Sequence, residues 1–163
     1  YQWAGPYLHS RQVVAVRSDS DIRTLQDLAD KVVAVQSTTK PEELFLNAEQ
    51  NGLPRLRRLY SLQNRDLLYT TLLKGYADAL AAHESAIRQF MKDYSVEYRI
   101  LDEPLMTARL GVAFAKERSD DLPQQLTEVF QEMLADGTVR QIVSRYLDDP
   151  EHYLDGLEDS THA

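Results

Sequence analysis

The chain has 163 residues, with 18 Lys+Arg against 26 Asp+Glu, a formal net charge of −8 and no cysteine. Its length suits one domain or two small lobes, and a content of 43% hydrophobic and 27% charged residues excludes wholesale disorder. The acidic balance argues against a nucleic-acid binder, and the missing cysteines remove disulfides, a thiolate nucleophile and zinc-finger ligand sets. No run approaches the roughly 18 apolar residues of a membrane span. No signal peptide is seen, and the chain opens at Tyr1 rather than Met, so a preceding segment is expected.

Short β-type runs alternate with helical patterns, without internal repeats. Residues 12–16 read as a strand and Ser18-Asp19-Ser20-Asp21 as a turn. Thr24-Leu25-Gln26-Asp27 has the form of a capping box with Asp in place of Glu, opening a short helix to about Ala29. The continuous apolar run Val32-Val33-Ala34-Val35 predicts a strand covered on both faces. Pro41-Glu42-Glu43 suits a first helical turn. Proline there lacks only a donor that would be unpaired anyway, and acids meet the positive end of the dipole. That helix is expected to end before Gly52, with a third strand over 56–60.

Leu67, Leu68, Leu72 and Leu73 predict one apolar helix face, with Gly75 as a left-handed stop. A small apolar strand follows over 77–82, then a helix with Ile87, Phe90 and Met91 on one side. Strands are expected over 96–101 and 110–115. Leu122, Leu126, Val129, Phe130 and Met133 mark a helix closed by Asp136-Gly137. A last helix carries Val139, Ile142, Val143 and Tyr146, and Pro150 stops it.

Strands alternating with helices at this spacing imply βαβ units, hence an α/β fold with a mostly parallel sheet flanked by helices. Ligands in such sheets bind beyond the carboxyl ends of the strands. Two loops lie there, Gln36-Ser37-Thr38-Thr39 and His83-Glu84-Ser85, each at a predicted helix N-terminus whose free N–H groups favour an anion such as a carboxylate. The candidate ligand-binding residues are Gln36, Ser37, Thr38, Thr39, His83 and Glu84. Each also has a plainer role: helix capping for the hydroxyls, a surface histidine, and a first-turn acid. Arg55, Arg57, Arg58 and Arg65 form a basic cluster that reads as the wet side of a strand and its loops. His9, His83, His152 and His162 lack metal-ligand spacing, and no nucleophile elbow or phosphate-binding glycine loop is present. No metal, cofactor or catalytic residue is therefore expected.

Seven segments follow one another in a set order: Gly5-Pro6-Tyr7, residues 13–16, residues 22–28 (IRTLQDL), residues 31–39 (KVVAVQSTT), Gly75-Tyr76-Ala77-Asp78-Ala79, Leu110-Gly111-Val112-Ala113-Phe114 and Asp136-Gly137-Thr138. Together they resemble the extracytoplasmic solute-binding proteins of the polar amino-acid type (bacterial family 3, periplasmic-binding-protein type 2). These are two-lobed clamshells serving ABC importers, and the same fold serves as a sensor domain on membrane signalling proteins. The resemblance covers about residues 5–147. It implies a hinge segment over 1–11, the α/β ligand-binding lobe two over 12–109, and a return hinge strand with C-terminal lobe-one helices over 110–147. An acidic tail over 148–163 completes the chain. The N-terminal part of lobe one, which in the family supplies an arginine for the ligand carboxylate and an aromatic platform, is implied to be missing.

The resemblance places Ser37, Thr38 and Thr39 on the loop that touches the ligand carboxylate. Ser37 stands where the family usually has Gly, which implies a reshaped loop. His83 stands where the family carries an Asp that pairs with the ligand's α-ammonium. A neutral His accepts one hydrogen bond and gives no full counter-charge, and Glu84 could serve if the loop shifts by one residue. Asp78 is structural in the family, and Tyr1, Trp3 and Tyr7 fall at the implied hinge.

The resulting reading is a non-enzymatic bacterial domain, periplasmic or extracytoplasmic. It would capture an amino acid or small carboxylate for an ABC permease. The alternatives are a ligand-sensing domain fused to a membrane signalling protein and a dehydratase-like enzyme using His83 and Glu84. An exposed apolar face of Leu126, Phe130 and Val143 would favour a homodimer. Residues 148–163 hold −6 of the net charge and no Lys or Arg, which leaves −2 for the rest, and this tail is expected not to pack.

Overall fold

A computed structural model describes residues 1–157 of the chain. In chain order the elements are β1 (Gln2–Arg17), a 3-10 turn (Leu25–Leu28), β2 (Val32–Gln36), α1 (Lys40–Leu46), a second 3-10 turn (Ala48–Asn51), β3 (Arg58–Leu62) and α2 (Arg65–Leu73). There follow β4 (Ala79–His83), α3 (Glu84–Tyr94), β5 (Tyr98–Ile100), β6 (Met106–Phe114), α4 (Leu122–Ala135), α5 (Thr138–Val143) and α6 (Glu151–Leu154). They divide into two units: residues 11–106, and residues 1–10 together with the chain from Thr107 onward.

In the first unit the strands lie in the order β3-β2-β4-β1-β5. β2 pairs in parallel with β3 and β4, whereas β1 runs antiparallel to β4 and β5. β3, β2, β4 and β5 therefore share one direction, as successive βαβ crossovers require. β1 alone opposes them, because it enters between β4 and β5 from outside that series. Period-two alternation divides the buried residues between the two faces. Val13, Ala15, Ala34 and Leu80 pack with Leu68, Leu72 and Ile87 of α2 and α3. Val14, Val16, Val33, Val35, Ala79 and Ala81 pack with Leu25, Leu28 and Phe45 on the other side.

The capping box forms, with Asp27 accepting from the Thr24 and Arg23 N–H groups at 2.8 Å each. Those bonds hold the Asp27 carboxyl below its usual range, the Arg23 N–H contributing most. Asp78 is structural in the same local sense. Its carboxylate accepts from the Val32 N–H at 2.8 Å while its own N–H donates to the Val32 carbonyl at 2.8 Å, which closes the start of the β2–β4 ladder.

Several expected bounds shift: β1 begins at Gln2 rather than residue 12, and β6 begins at Met106 rather than residue 110. β3 begins two residues late, at Arg58. The buried face of α2 is Leu68, Tyr69 and Leu72, while Leu67 and Leu73 are about half exposed. At about 100° per residue Leu73 falls on the flank of the stripe and Leu67 close to the opposite face.

The second unit is held to the start of β1. Gln2 Nε2 donates to the Lys116 and Arg118 carbonyls at 2.9 and 2.8 Å, and the Gly5 N–H donates to Thr127 Oγ1 at 3.1 Å. β6 pairs with β1, and a Cβ at Gly111 would lie 2.6 Å from the Ala4 carbonyl oxygen, so only glycine fits this crossing. Phe130 is half-buried under Tyr7, their ring centroids 5.2 Å apart. Leu126 and Val143 are likewise half-buried, so the expected Leu126–Phe130–Val143 face is partly covered. Leu122, Val129, Ile142 and Tyr146 are exposed instead.

The acidic tail needs correction. Beyond Pro150 the chain forms α6, and Tyr153, Leu154 and Leu157 are buried, the two leucines joining Leu134 and Val139 in a small core. Tyr153 and Leu154 end α6, and a turn through Asp155 and left-handed Gly156 brings Leu157 back onto the same core, apolar positions that the charge count concealed. The remainder of that tail, 158–163, lies outside the described residues.

Candidate ligand-binding site

β2 and β4 are parallel neighbours, with Val33 opposite Ala79 and Val35 opposite Ala81, so their carboxyl ends emerge side by side. A cavity of about 210 Å³ opens at that edge. Leu68, Pro41, Ala81, Ala82 and Ala86 form its apolar lining, and Gln12, Gln36, Thr39, Lys40, Arg65, Tyr69 and His83 its polar one. The volume falls below the roughly 300–1,000 Å³ of drug-sized clefts, which suits a small metabolite. A larger open groove of about 500 Å³ runs along residues 45–50 and 55–59. That groove lies at the entry of β3, and α/β sheets bind ligands at strand exits, so the smaller cavity is the candidate.

Of the sequence candidates, Gln36, Thr39 and His83 line the cavity, whereas Ser37, Thr38 and Glu84 do not. The Ser37 N–H donates to the Leu62 carbonyl at 2.9 Å and extends the β2–β3 ladder. The left-handed residue of this loop is Thr38, with φ of +61°. That conformation is costly for a β-branched side chain. Glu42 holds it, accepting from the Thr38 N–H at 2.7 Å. Its carboxyl sits below the usual range, first through the Ser61 hydroxyl and then through this bond. Thr39 occupies the N-cap position of α1, but its hydroxyl donates to the Gln36 carbonyl instead of accepting from the helix.

His83 ends β4 directly opposite Gln12 of β1, and Gln12 Nε2 lies 2.9 and 3.2 Å from the two ring nitrogens. Burial of the ring, and secondarily the charge of Arg65, hold the His83 pKa below its ordinary value, so the ring is neutral at pH 7. Glu84 points elsewhere. Its carboxylate is 2% exposed and receives Arg88 Nε and a terminal nitrogen at 3.0 and 2.7 Å, with Arg11 Nε at 3.6 Å.

Four lining residues escaped the sequence reading. Gln12 was read only as the first residue of the strand over 12–16, and Lys40 and Tyr69 carried no expectation. Arg65 was grouped with the basic cluster. Arg55, Arg57 and Arg58 do sit exposed around the start of β3, while Arg65 opens α2 at the cavity. The Tyr69 ring stacks on Phe90 at 4.1 Å between centroids, and among the described residues neither its buried hydroxyl nor Gln12 Oε1 has a hydrogen-bond partner.

The profile of the family described as "ABC transporter, phosphonate, periplasmic substrate-binding protein" matches residues 6–152. The chain belongs to this family. The histidine-binding periplasmic protein of Escherichia coli (strain K12) is 35% identical over 147 residues, covering 85% of this chain and 54% of that relative. A crystal structure of the substrate-binding protein of an amino acid ABC transporter matches at a TM-score of 0.64 and 27% identity, over 89% of this chain and 62% of the other. An ancestral amino acid-binding protein, a precursor of cyclohexadienyl dehydratase, shares the fold at a TM-score of 0.66 and 23% identity, over 90% of this chain and 61% of its own. The chain spans about half the length of the curated relatives it matches. This family membership agrees with the resemblance carried by the ordered motifs.

Proposed function

We propose that the chain is the ligand-capturing portion of a periplasmic solute-binding protein that delivers a small polar solute to an ABC permease. One observation carries this reading: a metabolite-sized cavity at the adjacent exits of β2 and β4, lined by Gln36, Thr39 and His83, in a chain of the substrate-binding family. In this reading residues 11–106 are the family's second lobe, and residues 1–10 with the chain from Thr107 belong to the return toward the first. A solute held against this edge favours whichever conformation encloses it, through its differential affinity for that state. Capture is preferred over dehydratase-like turnover because Glu84 is buried between two arginines and does not line the cavity with His83. The amino acids named by the relatives and the phosphonate named by the family description set the solute classes to test.

A thermal-shift screen with the twenty amino acids, small carboxylates and phosphonates tests the reading. A true ligand at 100-fold its dissociation constant adds about 2.7 kcal/mol and raises Tm by several degrees. His83→Ala and Thr39→Ala should each shrink that shift. A flat response to every class sinks the proposal.

A further inference from the structure

A cationic patch lies at the end of the sheet opposite the cavity. The chain carries a net −8, yet between Glu49 and Asp66 it holds Arg55, Arg57, Arg58 and Arg65 and neither Asp nor Glu. Arg65 lines the cavity, whereas the other three line the open groove of about 500 Å³ at the entry of β3. β2, β3 and β4 run parallel, so groove and cavity stand at opposite ends of these strands.

The three arginines keep most of their charge available. Each is exposed. The Arg55 side chain makes no ion pair or hydrogen bond among the described residues. Arg57 Nη2 meets Asp78 only at 3.8 Å, with the two side chains 61% and 39% exposed, and such a pair contributes little. Arg58 lies over the Tyr60 ring at 5.7 Å, a contact that leaves its charge unneutralised. Glu49 is the groove's single acid against three guanidinium groups.

The groove also has an apolar floor. Leu56 and Leu59 pack partly buried against the core, and Leu46 stands 69% exposed in the lining. The end of α1 beside it presents little negative potential. The Asn47 and Asn51 amides donate to the Glu43 and Leu44 carbonyls at 2.9 and 3.2 Å, which covers a helix terminus that would otherwise oppose an anion. β3 is the outermost strand in the order β3-β2-β4-β1-β5, which leaves this side of the sheet open to an extended segment.

Cationic arms around an apolar floor suit a peptide that carries carboxylates on both sides of an aliphatic side chain. Guanidinium forks bind carboxylates in a bidentate manner, and Leu46 gains burial. An anionic bilayer attracts basic segments too, but its headgroups form a surface that does not enter a concavity.

We infer that the groove between the second 3-10 turn and the start of β3 docks an acidic, leucine-bearing segment of a partner protein. A permease that receives the solute must meet the cavity edge, so this contact is separate from delivery. It stands whether or not the cavity binds a solute.

Fluorescence anisotropy of the 163-residue chain with a short labelled peptide, acidic on both sides of one leucine, tests it. A counterpart with lysines for the acids, and phosphatidylglycerol vesicles, are run beside it. The acidic peptide should bind and the basic one should not. Raising salt from about 50 to about 500 mM should weaken binding about tenfold. Combined Arg55→Gln, Arg57→Gln and Arg58→Gln should weaken it about tenfold or more. Combined Lys74→Gln, Lys92→Gln and Lys116→Gln removes the same charge elsewhere and should leave it within about twofold. Leu46→Ala should weaken it about threefold. These side chains are exposed, so the variants should melt with the parent, and Arg55→Gln alone gives a second reading because it breaks no ion pair among the described residues. Equal loss from the lysine set would mean diffuse attraction and overturns the inference. Binding to vesicles without binding to the peptide overturns it in favour of a membrane contact. If neither binds, the arginines only guard an edge strand against pairing, and the inference fails.

Discussion

The two units solve burial differently. In residues 11–106 a sheet is covered on both faces, and Val13, Val14, Val33, Ala34, Leu72 and Leu80 are wholly removed from solvent. In residues 1–10 with 107–157, the end of α4, the start of α5, α6 and the turn after it gather Leu134, Val139, Leu154 and Leu157 into a smaller core whose members keep a few per cent exposure. A two-faced sheet gives each central strand two sets of neighbours, whereas a cluster at helix ends and a turn can relax around a lost side chain. The candidate cavity is built on the unit with less freedom to relax, where its polar groups are held in fixed geometry.

That contrast can be broken by paired truncation. Leu72→Ala should cost about 2–5 kcal/mol, and Leu154→Ala should fall at or below the lower end of that range. Urea unfolding of the two variants provides the comparison, and equal losses would remove the distinction. A smaller effect probes the inside of the first unit. The Tyr98 hydroxyl donates to the Tyr69 carbonyl at 3.0 Å, and its pKa is pushed up to about 12, first by burial and then by Tyr69. A raised folded-state value means that the protonated phenol stabilises the fold fully below the unfolded value near pH 10. This contribution is lost as pH rises through about 12. Tyr98→Phe should cost about 1 kcal/mol at pH 7 and flatten that alkaline loss, read by denaturation between pH 9 and 12.

The smallest expected effect lies at the cavity edge. An NMR titration should place the His83 midpoint below 6.5, and Arg65→Gln should raise it partway, since burial remains the larger cause. Because the folded value is depressed, His83 contributes stability above pH 6.5 that is lost as pH falls through its folded midpoint. A midpoint that ignores Arg65 would separate the arginine from the histidine and weaken their assignment to one cavity.

Much of the fold was legible in the chain because it is written locally. The run Val32-Val33-Ala34-Val35, the capping box at Thr24 and the turn at Gly75 each form where the pattern put them. The strand exits could be located for the same reason, which brought Gln36, Thr39 and His83 into view. What stayed hidden depends on distant pairing. Gln12 meets His83 only through the antiparallel register of β1 with β4, and Arg65 leaves its neighbouring arginines only once α2 packs beneath the sheet. The burial of Tyr153, Leu154 and Leu157 was obscured by acids that dominate the charge of their segment, and Leu157 joins the other two only through the turn at Gly156.

The clasp on Glu84 has an evolutionary consequence. An acid one residue from the cavity looks like a ready route to a different specificity, reached by sliding the loop. That route is closed, because sliding would break the Gln12–His83 register and strip two arginines of a buried partner. Under the proposed function the shorter route is substitution at position 83, which lines the cavity and where a single base separates a histidine codon from an aspartate codon. Solute preference in this lineage would then diverge in discrete steps at one position, with the scaffold beneath it left unaltered.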